Sequence, residues 1–157
     1  MFELRSELLF DIKLYLGGVA HDIGTTAESG HRLIVEVTRG AFEGPKMKGK
    51  VLHLGADWLR ILDDGTLVID VRTQLQTDDG ELIYLYYHGY IHGTPEAMET
   101  FMQFEEDVDI DPSTIYFRTS MRFETGSKKY DWLNRTLAMA VGRRIQNGVA
   151  YQVHEIK

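Results

Sequence analysis

Residues 66–91 read TLVIDVRTQLQTDDGELIYLYYHGYI, and this stretch decides the fold. Leu67, Ile69, Val71, Thr73 and Leu75 alternate with Val68, Asp70, Arg72, Gln74 and Gln76, the period of two that belongs to a β-strand with unlike faces. Asp78-Asp79-Gly80 makes a tight turn, because Asp-Gly tolerates the positive φ that a short hairpin needs. Leu82–Ile91 runs back as a second strand, with Tyr84, Tyr86, His88 and Tyr90 on one face and Ile83, Leu85 and Tyr87 on the other. At roughly 3.3 Å per residue the first strand spans on the order of 36 Å. A strand that long fits a barrel or a strongly coiled sheet better than a small sandwich.

The flanking sequence repeats the pattern. Residues 2–16 read as one long strand, bent near Ser6, and 17–31 as a Gly-rich loop. Leu33, Val35 and Val37 alternate with polar residues up to Gly40, and 49–54 and 57–62 are short strands around Gly55. Asp63-Asp64-Gly65 is another hairpin turn. Thr94 and Pro95 start the one clear helix, with Met98, Phe101 and Met102 as its apolar stripe and Glu105-Glu106-Asp107 ending it. Strand 115–123, a helical turn within 126–134, and a hairpin of 136–142 with 149–156 complete the chain. The reading is a single domain over residues 1–157. It is all-β with minor α, an antiparallel barrel of about nine strands, with a two-sheet sandwich as the competing arrangement.

Composition limits the function. The net charge of −7 is spread along the chain, which disfavours nucleic acid and anionic membranes as partners, although Arg143 and Arg144 form a local basic pair. Cysteine is absent, which removes disulfides and thiolate chemistry. The charged start, Met1-Phe2-Glu3-Leu4-Arg5, does not read as a signal peptide, and the expected location is cytoplasmic. No phosphate-binding glycine loop, no nucleophile elbow and no His-Glu-x-x-His occurs. His88 and His92 lie four apart, roughly 13 Å along a strand, too far for one metal ion. Neither a metal nor a cofactor is expected.

The polar candidates lie on the long hairpin and its neighbour. Asp57, Asp70 and His88 are the candidate proton-transfer residues. Arg72, Tyr84, Tyr86 and Arg118 are candidates for holding a planar or anionic ligand, and Trp132 and Asn134 for edging a pocket. These residues line a lumen if the aliphatic face of residues 67–75 packs outward. They stand in solvent if that face is the core.

Several segments together, in order, are similar to one family: Phe42-Glu43-Gly44-Pro45, Gly55-Ala56-Asp57-Trp58, Thr77-Asp78-Asp79-Gly80-Glu81-Leu82-Ile83-Tyr84, Tyr116-Phe117-Arg118-Thr119, Arg122-Phe123-Glu124-Thr125-Gly126 and Tyr130-x-Trp132-Leu133-Asn134. They resemble the bacterial and fungal domain-of-unknown-function family numbered 3237 over nearly the whole chain. The resemblance implies a small lipocalin-like or streptavidin-like β-barrel and brings no agreed activity or catalytic residues.

Two functional readings stand. In the first, the barrel binds a small organic molecule and performs cofactor-free isomerase, lyase or hydrolase chemistry by acid–base transfer. In the second, it is a non-catalytic binding or assembly protein whose polar residues are structural. A homo-oligomer is expected if an apolar face lies outside.

Overall fold

The computed structural model describes residues 2–157, with Gly18 described by its main chain alone. Nine strands follow in order: β1 (Ser6–Thr26), β2 (Gly30–Glu43), β3 (Lys48–Val51), β4 (Gly55–Ile61), β5 (Leu67–Thr77), β6 (Leu82–Gly93), β7 (Ile115–Glu124), β8 (Ala138–Ile145) and β9 (Gly148–Ile156). The helix α1 (Pro95–Phe101) lies between β6 and β7, and short 3₁₀ turns occupy Pro112–Thr114 and Asp131–Arg135. Every pairing is antiparallel. The ladder closes: β1 pairs with β9 on one edge and β2 on the other, and β3 and β4 share the position between β2 and β5. The result is a closed β-barrel, as the long hairpin predicts.

The turns form where the sequence places them. Gly65 and Gly80 adopt φ of +85° and +90°, and Asn147 turns β8 into β9 at φ +57°. The 66–91 hairpin pairs in the register Asp70↔His88, Arg72↔Tyr86 and Gln74↔Tyr84. Two segments differ from their expected form. The helix ends at Phe101, before the acidic run. Residues 17–31 are mostly not loop: β1 continues to Thr26, turns at 27–29 and pairs back with β2. The glycines there accommodate register shifts between Leu16 and Ala20 and between Asp22 and Gly24, which are bulges within a strand.

The barrel interior is aliphatic and aromatic. Leu67, Ile69, Val71 and Leu75 of β5 and Ile83, Leu85, Tyr87 and Ile91 of β6 are all buried. The aliphatic parity of the hairpin is therefore the inner one, and the polar parity faces out. Desolvating Asp70 and Arg72 inside costs far more than burying four aliphatic side chains returns if they are left outside. An edge-to-face chain of rings crosses the interior: Phe101 on Phe117 at 5.7 Å, Phe117 on Tyr151 at 5.2 Å, Tyr151 on Tyr87 at 5.3 Å. Gly142 makes room for it, since a Cβ there would lie 2.8 Å from the Phe117 ring.

Helix α1 closes one end. Thr94 caps it by accepting from the Ala97 N–H at 3.2 Å. Its C-terminus has no basic residue of its own. Arg144 supplies the charge from β8: its guanidinium donates to the carbonyls of Phe101, Gln103, Phe104, Glu106 and Ile145, which uses all five of its N–H groups. Burial lowers the pKa of this guanidinium, yet the carbonyls replace its water. Arg144 is thus a structural latch and not half of a surface basic site. No helix is long and apolar enough to cross a membrane among the described residues.

Arg144→Lys keeps the charge and loses the fork. We expect a loss of about 3 kcal/mol, or roughly 6–12 °C in Tm, with faster amide exchange confined to residues 101–107. An unchanged Tm would show that the carbonyls find other partners.

Candidate functional site

A cavity of about 620 Å³ lies inside the barrel, beneath α1 and the segment that follows it. Leu59, Ile69, Val71, Ile91 and Phe117 give it apolar walls, while Thr38, Arg39, Glu105 and Asn147 form a polar rim. Within the cavity, three polar groups stand among the apolar walls: the Asp57 carboxyl and the phenols of Tyr87 and Tyr151.

Asp57 is there because of strand alternation. On β4, Asp57 and Leu59 point inward and are buried, while Ala56, Trp58 and Arg60 alternate with them. The neighbouring ladder is modified around it. β4 and β5 pair at Ala56↔Arg72 and Asp57↔Val71 and again at Arg60↔Val68, with the Trp58 and Asp70 level left open between them. Two side chains fill the opening. The Asp70 N–H donates to Asp57 Oδ1 at 3.0 Å, and Arg32 donates to the Trp58 carbonyl at 2.6 Å. Leu33 and Val35 line the cavity, so alternation on β2 brings Arg32 from the outer side. The wall is therefore held by a carboxylate within and a guanidinium without.

The surroundings set the protonation of these groups. Burial raises the Asp57 pKa to about 7; the Asp70 N–H opposes the rise, the Asp70 carboxylate adds to it and Arg32 opposes it. Burial also drives both phenols well above the ordinary tyrosine value, so Tyr87 and Tyr151 stay protonated. The cavity thus combines a carboxyl that changes charge near neutral pH with two phenols that remain hydrogen-bond donors.

The other sequence candidates lie elsewhere. Asp70, Arg72, Tyr84, Tyr86, His88 and Arg118 are on the outer surface of β5–β7, because closure turns their parity to solvent. There His88 Nε2 is 3.2 Å from Asp70 Oδ1, and Arg72 is 3.7 Å from Asp70 Oδ2 and 5.1 Å above the Trp58 ring. Tyr84 and Tyr86 stack at 5.1 Å, and Arg118 lies over Tyr116. Trp132 packs against the core with Lys46 5.0 Å from its ring, and Asn134 brackets the main chain of Thr125. Neither lines the cavity. Of the residues expected in a lumen, Asp57 alone is in it. Tyr87 and Tyr151 were readable only as core aromatics, since each sits in the apolar parity of its strand. Among the described residues, no group of three or more His, Asp or Glu side chains is arranged to hold a metal ion.

The chain belongs to the family described as protein of unknown function DUF3237, which matches residues 4–156. A UPF0311 protein of Rhodopseudomonas palustris strain TIE-1 is 33% identical over 155 residues, covering 98% of this chain and 97% of that protein. The crystal structure of a beta-barrel like protein from Acinetobacter baumannii AYE superposes with a TM-score of 0.86 at 39% identity, over 100% of this chain and 98% of that one. An enzyme from Penicillium herquei shares the fold with a TM-score of 0.70 at 22% identity, over 100% of this chain and 97% of that one.

Asp57 makes stability depend on pH in a definite direction. Its folded pKa lies above the unfolded value of 3.8, so the native state holds the proton more tightly and stability falls as pH rises from about 4 to about 7. The full fall is roughly 4 kcal/mol, at about 1.4 kcal/mol per pKa unit. Asp57→Asn keeps an oxygen for the Asp70 N–H and removes the ionisation. Urea unfolding at pH 5 and pH 8 is expected to show a steeper loss in the parent than in the variant. Equal slopes would mean that Asp57 does not titrate in this range.

Proposed function

For this DUF3237 protein we propose a cofactor-free proton-transfer enzyme that takes a small, largely apolar carbonyl compound into the barrel. The observation that carries the reading is the Asp57 carboxyl, poised near neutral pH inside an apolar cavity that also holds two protonated phenols. The cavity volume suits a compound of one to three rings. Ionised Asp57 removes a proton from the carbon beside the carbonyl. The electron pair moves to the carbonyl oxygen, where a phenol of Tyr87 or Tyr151 donates a hydrogen bond to the developing enolate. Protonated Asp57 then returns the proton to the same carbon or to a conjugated one, which balances as a tautomerisation or double-bond isomerisation.

One observation supports a second reading. Asp57 Oδ1 accepts the Asp70 N–H that the open ladder leaves without a strand partner. A carboxylate employed in that way fits a non-catalytic binding protein with the same lumen.

Proton exchange separates the two. The protein is incubated in D2O with a panel of cyclic ketones and enones, and loss of the α-proton is followed by NMR. Exchange is expected to rise with pH through about 7, to fall at least 100-fold in Asp57→Asn and 10-fold or more in Tyr87→Phe or Tyr151→Phe. Binding without exchange, or exchange that survives Asp57→Asn, overturns the catalytic reading.

A further inference from the structure

We infer that the outer face of β6–β8 docks a second copy of this chain in a two-fold dimer, held by arginines of that face and the acidic segment that carries α1. The face is unlike an ordinary solvated sheet. Tyr90 and Val141 flank Arg118 in one cross-strand row and are 57% and 49% exposed, Met139 two residues along β8 is 48% exposed, and no lysine occurs anywhere in residues 51–127. Its cations are instead Arg118, Arg122 and Arg143, among tyrosines and histidines. Tyrosine, methionine and arginine without lysine is the composition of a protein interface. Two stacked pairs, His92 on Tyr116 at 4.9 Å and Tyr84 on Tyr86 at 5.1 Å, make flat platforms that lose little freedom on contact.

Charge identifies the occupant. In a chain of net charge −7, this face is net positive: Arg118, Arg122 and Arg143 outnumber Glu124, the one carboxylate in the outward parity of β6–β8. Residues 95–111 contain Glu96, Glu99, Glu105, Glu106, Asp107, Asp109 and Asp111 and not one lysine or arginine. Among the described residues, no member of this acidic set and none of Arg118, Arg122 and Arg143 forms an ion pair within the chain. One molecule thus carries both halves of a complementary surface: Asp107 feels the charge of Arg144, and Arg118 leans on the Phe117 carbonyl and the Tyr116 ring, but neither half is closed by a salt bridge.

Their layout favours a two-fold axis. Cross-strand rows run away from α1 in the order His92–Tyr116, Tyr90–Arg118, His88–Ser120 and Tyr86–Arg122. The first and last rows are six residues apart, roughly 20 Å. A two-fold axis lying across the strands near Gly89 and Thr119 brings the α1 end of each copy to Arg122 of the other, and the contact is made twice and closes without a filament.

Sedimentation equilibrium tests this. At 50 µM in low salt the protein is expected at about twice 18.0 kDa, with at least a tenfold weaker association in 1 M NaCl. Two charge-reversed variants, R118E/R122E and E106K/D107K/D109K, should each be monomeric. Mixed in equal amounts they should form a heterodimer, because both contacts are then again between opposite charges. Recovery on mixing also shows that both variants are folded. A monomeric parent at 50 µM, reversed variants that stay dimeric, or a mixture that stays monomeric each overturns the proposal; a monomeric parent would leave the face to a different macromolecule.

Discussion

Closure of the sheet through β1 is the constraint from which the rest follows. β1 gives its near half to β9 on one edge and pairs with β2 along the other, and this double pairing turns a sheet into a barrel. Once the ring is closed, each strand has one parity inside and one outside, and the choice is settled for all strands together. Aliphatic side chains take the inside, as in β5 and β6. Polar groups also enter: the Thr73 and Thr119 hydroxyls are buried without a partner, whereas the larger groups are accommodated individually. Asp57 obtains an N–H from β5; Tyr87 and Tyr151 pack edge to face.

This explains what could be read from the sequence. Strand period, Asp-Gly turns and the Thr94–Pro95 helix start are local signals, and each formed where expected. The side of the sheet on which Asp70 and Arg72 fall is not local. It depends on the pairing of β1 with β9, across almost the whole chain. The Gly-rich 17–31 stretch misled for a related reason: glycines that usually mark loops here relieve register shifts in a strand held by its pairing with β2.

The site was legible in part. Asp57 stood out because it lies in a Gly-Ala-Asp-Trp segment at the start of a strand. Arg32 did not, and Arg144 read only as half of a surface basic pair, because their partners are main-chain carbonyls 26 and about 40 residues away, which carry no side-chain signature. A phenol in an aliphatic parity is equally silent. Tyr87 looks like any core aromatic until the cavity beside it is seen.

The far half of β1 has a consequence of another kind. β9 stops pairing at Tyr15, so beyond that point the outer edge of β1 has no strand beside it. An open edge is a template on which a foreign strand can grow. Here the shift between Leu16 and Ala20 breaks the even spacing of donors and acceptors, Gly24 at φ +96° breaks it again, and the exposed Val19 and Ile23 are interspersed with exposed His21, Asp22 and Thr25. The irregularities that hide this strand in the sequence also deny it to intermolecular β-sheet growth.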